Sequence, residues 1–301
     1  MSGGALRPFV DRPVTELTAA AALAGGFASR LGLPPPVVMR VGMNALFATA
    51  DVVIRVGCPS ADPALAYQLA DRLTAAGISA AAPASEEIAV EGDLAATAWE
   101  RIAVSERPVD WRAVGAMVRV VHALPADAIP DGYPVPSPAS FPWWHFDALL
   151  DEVAGEIDER ARTALCAVVE RHRGWEAFDR STTVVCHGDV HPGNVVMTSR
   201  GPVLLDWDLM CRAPAGWDHA MLLTLAPRWG GDPAVYPAFA QGYGASLADD
   251  PATRRFAELR NVAATLMRVR AGRTDAAARR EARRRLRFWR GEPDAPPWQA
   301  Q

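Results

Sequence analysis

Apolar positions over the first hundred residues come in short runs broken by turn residues. Val37-Val38-Met39-Arg40-Val41 and Ala45-Leu46-Phe47-Ala48-Thr49 flank Gly42-Met43-Asn44, whose Gly and Asn tolerate the positive φ of a tight hairpin. A third run, Asp51-Val52-Val53-Ile54-Arg55-Val56, is rich in β-branched residues. Together they predict an antiparallel meander. Pro63 to Ala76 reads as a helix, with Gly77 where a helix would stop. Glu87-Ile88-Ala89-Val90 and Ala98 to Ala103 read as two more strands around the turn Glu91-Gly92-Asp93. The alanine-rich run Thr18 to Ala28 is interrupted by Gly25 and Gly26, and this first part is expected to be strands and turns.

The period changes near residue 105. Asp110 suits a helix N-cap, and Trp111, Val114, Val118 and Val121 then recur at helical spacing. A proline-rich loop covers 125–142. One long amphipathic helix is predicted after it, with Phe146, Leu149, Leu150, Val153, Ile157, Ala161, Leu165 and Val168 on one face and Asp147, Asp151, Glu152, Glu156, Asp158 and Glu159 on a solvated face. Residues 181–208 read as short strands and loops, and helices resume after Asp218. The stretch Arg268 to Arg290 holds ten arginines and reads as an exposed amphipathic helix, a candidate surface for an anionic partner. No internal repeat is visible. The expectation is an α+β, two-lobed fold, with a small antiparallel-sheet lobe at 1–103, a hinge about 99–103, and a larger, mainly helical lobe at 104–301.

Length and composition agree. The 301 residues, half of them hydrophobic, exceed what one compact domain needs. A net charge of −4 gives no reason to expect nucleic-acid binding. No run approaches the roughly 20 apolar residues of a membrane span, so a cytoplasmic protein without a membrane partner, monomeric or homodimeric, is expected. Cys58, Cys166, Cys186 and Cys211 are scattered and read as free thiols. All 31 basic residues are arginine; the chain has no lysine.

The chemistry concentrates in Val184-Val185-Cys186-His187-Gly188-Asp189-Val190-His191-Pro192-Gly193-Asn194, followed by Val203-Leu204-Leu205-Asp206-Trp207-Asp208. An apolar strand delivers a carboxylate and, five residues on, a carboxamide; a second apolar strand delivers another carboxylate. Phosphoryl transfer requires these parts. A carboxylate orients the acceptor hydroxyl and takes its proton, while hard oxygen ligands hold a divalent metal on the nucleotide phosphates. Singly, His-Gly-Asp and Asn194 also suit turns; jointly, with strand flanks and Asp-x-Asp, they point to a site.

His-Gly-Asp-x-His-x-x-Asn followed by an apolar run and Asp-Trp-Asp resembles the aminoglycoside phosphotransferase family, small-molecule kinases with a protein-kinase-like fold. The order of the hairpin before Arg55, the strand Trp99–Ile102 and the helix with Gly115 and His122-Ala123-Leu124 extends the resemblance over most of the chain. It implies Asp189 as the catalytic carboxylate, Asn194 and Asp206 as magnesium ligands, and His187 and His191 as shapers of the loop. Asp208 and Asp218 would lie beside the metal or acceptor site. ATP or GTP would be held by Gly42, Asn44, Arg55, Trp99, Glu100 and Ile102, and the acceptor would be a small hydroxylated molecule.

Two departures matter. Kinases of this fold carry a lysine on the third strand, paired to a helix glutamate; here Arg55 occupies that strand, and Gln68 and Asp71 are the nearest polar residues on the following helix. This keeps open a nucleotide-binding protein with little turnover. A different class is a metallohydrolase using His187, Asp189, His191, Asp206, Asp208 and His219, which leaves the first lobe and Asn194 without a role. For a polycationic acceptor, Asp208, Asp218, Glu258 and the acidic helix at 147–159 are candidate carboxylates; the arginine-rich end favours an anionic or neutral one.

Overall fold

The computed structural model describes residues 6–299. Its first structured segment is a helix, α1 (Leu17–Arg30), where strands and turns were expected. Ala20, Leu23, Ala24 and Phe27 recur at helical spacing and bury against the sheet, while Gly25 and Gly26 have open space around them. The glycines weaken local propensity, but packing of the apolar stripe outweighs them.

The meander follows as β1 (Val37–Val41), β2 (Ala45–Ala48) and β3 (Val52–Gly57), then α2 (Ala64–Ala75), β4 (Pro83–Glu91) and β5 (Leu94–Glu100). These strands form one antiparallel sheet in the order β1-β2-β3-β5-β4. The last strand begins at Leu94 and ends at Glu100, earlier than expected, because Leu94 to Glu100 is the stretch that pairs across to Glu91 and Val52. Alternation on β3 decides its chemistry. Ile54 and Val56 are fully buried in the core beneath α1, so Arg55, between them, leaves from the opposite face.

Beyond β5 the chain runs without regular structure to α3 (Trp111–His122), whose Asp110 cap accepts from the Ala113 N–H as expected. The single long helix after the proline-rich loop is two: α4 (Phe146–Glu152) and α5 (Glu159–Arg171). Ile157 is extended (φ −115, ψ 127), and Asp158 caps the new helix by accepting from the Ala161 N–H. Val153 and Ile157 stay buried through the break, which is why the apolar period continued across it.

Short strands β6 (Thr183–Cys186), β7 (Val195–Thr198), β8 (Gly201–Leu204) and β9 (Cys211–Pro214) form two hairpin-like pairs, β6 with β9 and β7 with β8. The helices α6 (Gly216–Trp229), α7 (Val235–Tyr243), α8 (Pro251–Ala271) and α9 (Ala276–Trp289) complete the fold. Helices α3 and α7 cross where each offers a glycine: a Cβ on Gly115 would lie 1.9 Å from the Phe239 carbonyl oxygen, and one on Gly242 1.8 Å from that of Arg112.

The arginine-rich end is not one exposed helix. It is broken between Ala271 and Ala276, and Arg285 is 2% exposed, bonded to Glu281 and to the Ala264 and Gln299 carbonyls. Arg270 and Arg273 pair with Glu152, Arg273 also with Glu156, and Arg290 with Asp158. Three acids of the 147–159 stretch, Glu152, Glu156 and Asp158, thus neutralise three arginines of the basic end. Cys58, Cys186 and Cys211 are buried and Cys166 half-buried, all free. Among the described residues no helix is long and apolar enough to cross a membrane.

Candidate active site

Strand β6 ends at Cys186, and the next residues are bound from below. The His187 and Gly188 N–H groups donate to the two oxygens of Asp218, each at 2.8 Å. The Gly188 carbonyl accepts from Trp217 Nε1 (3.1 Å) and an Arg260 Nη (2.8 Å). Gly188 has φ +95, and a Cβ there would meet the Leu209 carbonyl oxygen at 1.9 Å, so the turn requires glycine. His187 is fully buried; its Nε2–H donates to the Leu205 carbonyl, and its Nδ1 accepts from the Asp189 N–H. Burial lowers its pKa, which suits a neutral ring.

This clamped turn presents Asp189 to the cleft. Asn194 Nδ2 donates to the Asp189 carbonyl (3.0 Å) and to its Oδ2 (3.1 Å); His191 Nε2 lies 3.3 Å from Oδ2, and an Arg260 Nη 3.7 Å from Oδ1. Desolvation opposes ionisation of Asp189, but the charges of His191 and Arg260 prevail and hold its carboxyl well below the usual range. The Leu205 N–H donates to the Asn194 carbonyl at 2.9 Å, tying the second motif to the first. Asp206 follows at φ 64, ψ 70, the one non-glycine at positive φ among the described residues. Such strain persists where the surroundings over-determine it. Desolvation, then repulsion from Asp208, pushes its carboxyl up to about 7. A carboxylate in that state, beside Asn194 and Asp189, makes a set of hard oxygen donors that a divalent cation would relieve.

The cleft has a volume of about 700 Å³. Gly42, Asn44, Arg55, Trp99, Glu100 and Ile102 line it from the sheet side; Asp189, His191, Asn194, Asp206 and Asp208 line it from the helical side. His187 and Asp218 lie outside it, under the loop. Asp218 is buried behind Gly188 and pairs with His122, so its placement beside a metal or acceptor is not what the geometry shows. Glu258 is also away from the cleft, partnering Arg171 and His172. Gln68 and Asp71 are exposed on α2.

The six donors of a metallohydrolase do not converge. His187 is spent on Leu205, and His219 is buried against Tyr236. Among the described residues the group of three with ligand-like spacing is His122, Cys186 and Asp218, in which both Asp218 oxygens already accept backbone N–H groups.

Two features escaped sequence reasoning. Arg260, on α8, stacks over Trp217 at 4.6 Å and reaches Asp189 from 71 residues away; one arginine among 31 carries no local signal. Arg55 pairs with Asp208 rather than with a helix carboxylate, and Asn44 Nδ2 donates to the same Asp208 oxygen at 2.8 Å.

Comparison with known proteins places this geometry. Residues 59–259 match the model of the phosphotransferase enzyme family (APH). A search of curated protein sequences found no match. Among solved structures, the GDP complex of aminoglycoside 2'-phosphotransferase-IIIa superposes with a TM-score of 0.66 at 13% identity, over 93% of this chain and 100% of that one. Amicoumacin kinase hAmiN, solved with AMP-PNP, Ca2+ and Ami, gives a TM-score of 0.66 at 12% identity, over 95% and 98%. Aminoglycoside phosphotransferase APH(3'')-Id from Streptomyces rimosus ATCC10970, with ADP and streptomycin, gives 0.57 at 21% identity, over 83% and 99%. These likenesses establish a shared kinase-like fold, and the family match covers more than half of the sequence: the chain belongs to the phosphotransferase enzyme family.

Proposed function

We propose that this protein transfers the γ-phosphate of ATP or GTP to a hydroxyl of a small molecule. The observation that supports it is the meeting of Asp189, Asn194 and Asp206, from two separate segments, on one wall of a cleft whose other wall carries Arg55. Asp189 is held ionised by His191 and Arg260, so it is ready to orient an acceptor hydroxyl and take its proton. Asn194 spends its amide N–H groups on Asp189, leaving its oxygen for a cation alongside Asp206. Mg2+ held there would neutralise charge on the β- and γ-phosphates. The Arg55 guanidinium, charged at any working pH, would grip phosphate oxygens from the sheet side. Trp99, Glu100 and Ile102, at the end of β5 and just beyond, would border the base, with the hinge between lobes near 99–103.

The acceptor is the open variable. Glu152, Glu156 and Asp158 are turned to the C-terminal arginines, Asp147 to Arg173, Asp151 to Arg162, and Glu258 to Arg171 and His172, so none of these forms a polycation site beside Asp189. A neutral hydroxylated acceptor fits this balance better than a polyamine. The alternative, a nucleotide binder with little turnover, is favoured by one observation, the engagement of Arg55 by Asp208. A panel of neutral, cationic and anionic hydroxylated compounds, incubated with Mg·ATP or Mg·GTP, decides. Phosphorylated product from any member supports transfer. Tight nucleotide binding with no product across the panel supports the binder.

A further inference from the structure

In the expected kinase arrangement the strand cation is braced by a carboxylate on the next helix. Here the face of α2 toward the cleft carries Ala66, Leu69, Ala70 and Leu73, and no acid. A small cavity of about 20 Å³ lies among Arg55, Ala66, Pro63, Asn44, Gly57 and Thr97. That is room for roughly one water, and the helix offers no charge to fill it. Yet the Arg55 side chain is only 19% exposed, on a strand flanked by β2 and β5, and a largely desolvated charge needs a partner.

Its partner comes from the other side of the cleft. One oxygen of Asp208 accepts from both the Arg55 guanidinium and Asn44 Nδ2. Asp208 is itself held firmly. It is 4% exposed, its carbonyl accepts from the Phe9 N–H at 3.1 Å, and the preceding carbonyl, of Trp207, accepts from the Tyr133 hydroxyl at 3.0 Å. Phe9 and Tyr133 stack with centroids 4.9 Å apart. Asn44 packs so closely on β3 that a Cβ at Gly57 would lie 2.2 Å from its Oδ1. A fixed carboxylate therefore meets a fixed guanidinium, with a third fixed side chain setting the angle.

We propose that Asp208 replaces the missing helix carboxylate as the positioning residue for Arg55, moving the bracing pair from within the sheet lobe to a bridge between the cleft's two walls. This rests on the functional reading above, in which Arg55 serves the phosphates. A guanidinium suits the new arrangement better than an ammonium. Its planar fork can spend one edge on Asp208 and Asn44's shared oxygen and keep the other for a phosphate, whereas a lysine presents one point of charge. The competing role for Asp208 is direct metal binding beside Asp206.

Calorimetric titration of the full chain separates these roles, using Mg·ATP and Mg·GTP as nucleotides and adenosine and guanosine as phosphate-free probes. Four proteins are needed: the parent, Asp208→Asn, Arg55→Gln and the double variant. Each single variant is expected to weaken the bound nucleotide about tenfold, as loss of one charge-assisted contact should. The double variant is expected to be no weaker than the worse single, because Asp208 acts through Arg55. Nucleoside affinity should stay within about twofold throughout, since lost phosphate contacts do not touch the base. Multiplying losses in the double variant would overturn the proposal in favour of metal binding. Equal loss of nucleoside affinity would reduce the pair to a prop for the cleft, and parental behaviour of Asp208→Asn would remove it altogether. If Asp208→Asn does not fold, Asp208→Glu takes its place in the same cycle, with the carboxylate advanced by one methylene. A parent that binds neither nucleotide would bring down the functional reading itself, an outcome distinct from the others.

Discussion

The two walls of the cleft are built on different principles. On the helical side, residues 187–194 are fixed through their backbone: Asp218 binds two consecutive N–H groups, Gly188 supplies a positive φ, and Asn194 closes the loop onto Asp189. Each requirement admits few residue types, so the wall is written as a contiguous motif. On the sheet side, β3 contributes one charge, Arg55, whose needs are a partner and a direction. Both can be met from anywhere in the chain, and here they are met from 153 residues away. Backbone-dictated sites leave a local signature; charge-dictated sites do not.

The comparison is sharpest if the loop is broken at its working atom. Asp189→Asn keeps the shape but removes the carboxylate proposed as the base. Turnover is expected to fall by about 10²–10⁴ while nucleotide affinity stays near parental. Kinetics with an accepted substrate, together with nucleotide titration, give both numbers; a variant with half the parental turnover would dismiss Asp189 as the base.

The buried support of the loop should show in pH dependence. Burial disfavours the charged form of His122, but Asp218 outweighs it and raises the His122 pKa from 6.5 to about 10. The native state then binds a proton that the unfolded chain releases above its ordinary pKa, so stability is full below about 6.5 and falls as pH rises through about 10. Urea midpoints at pH 6, 8 and 10 should decline in that order, and the decline should flatten in His122→Gln. A parent midpoint that is level over this range contradicts the pair.

A smaller effect is expected at Arg260, which touches the loop from outside. Arg260→Ala loses the Gly188 carbonyl contact and the charge near Asp189, and turnover should fall about tenfold. Arg260→Lys should recover part of it. Equal rates in all three proteins would make Arg260 a packing residue on Trp217. Smallest of all, Gln68→Ala and Asp71→Ala should leave nucleotide affinity and stability within about 0.5 kcal/mol of parental, because both side chains point to solvent. A large loss at either would restore the helix as the source of the brace.

The same division explains what could be read from the sequence. The meander, α3 with its Asp110 cap, and the convergence of Asp189, Asn194 and Asp206 follow from local pattern. Helix α1 was hidden because Gly25 and Gly26 lower propensity while tertiary packing of Phe27 and Leu23 forms it anyway. The break between α4 and α5 was hidden because Val153 and Ile157 keep the apolar period while the backbone between them changes course. The mutual pairing of Glu152 and Glu156 with Arg270 and Arg273 needs the fold to bring them together, so each charge run on its own suggested a partner outside the chain. Asp218 reads in the sequence as chemistry, while in the structure both its oxygens accept backbone N–H groups beneath the loop.

An arginine on the central strand of a chain with no lysine also changes which reagents can see this protein. Acylating agents, whether metabolic thioesters or nucleotide analogues built to tag amines, react with unprotonated amines, and among the described residues none that lines the cleft carries one. Surveys that count nucleotide-binding proteins by such tags would pass it over. Dicarbonyl reagents selective for guanidinium groups would not, and protection of Arg55 by bound nucleotide would be the corresponding footprint.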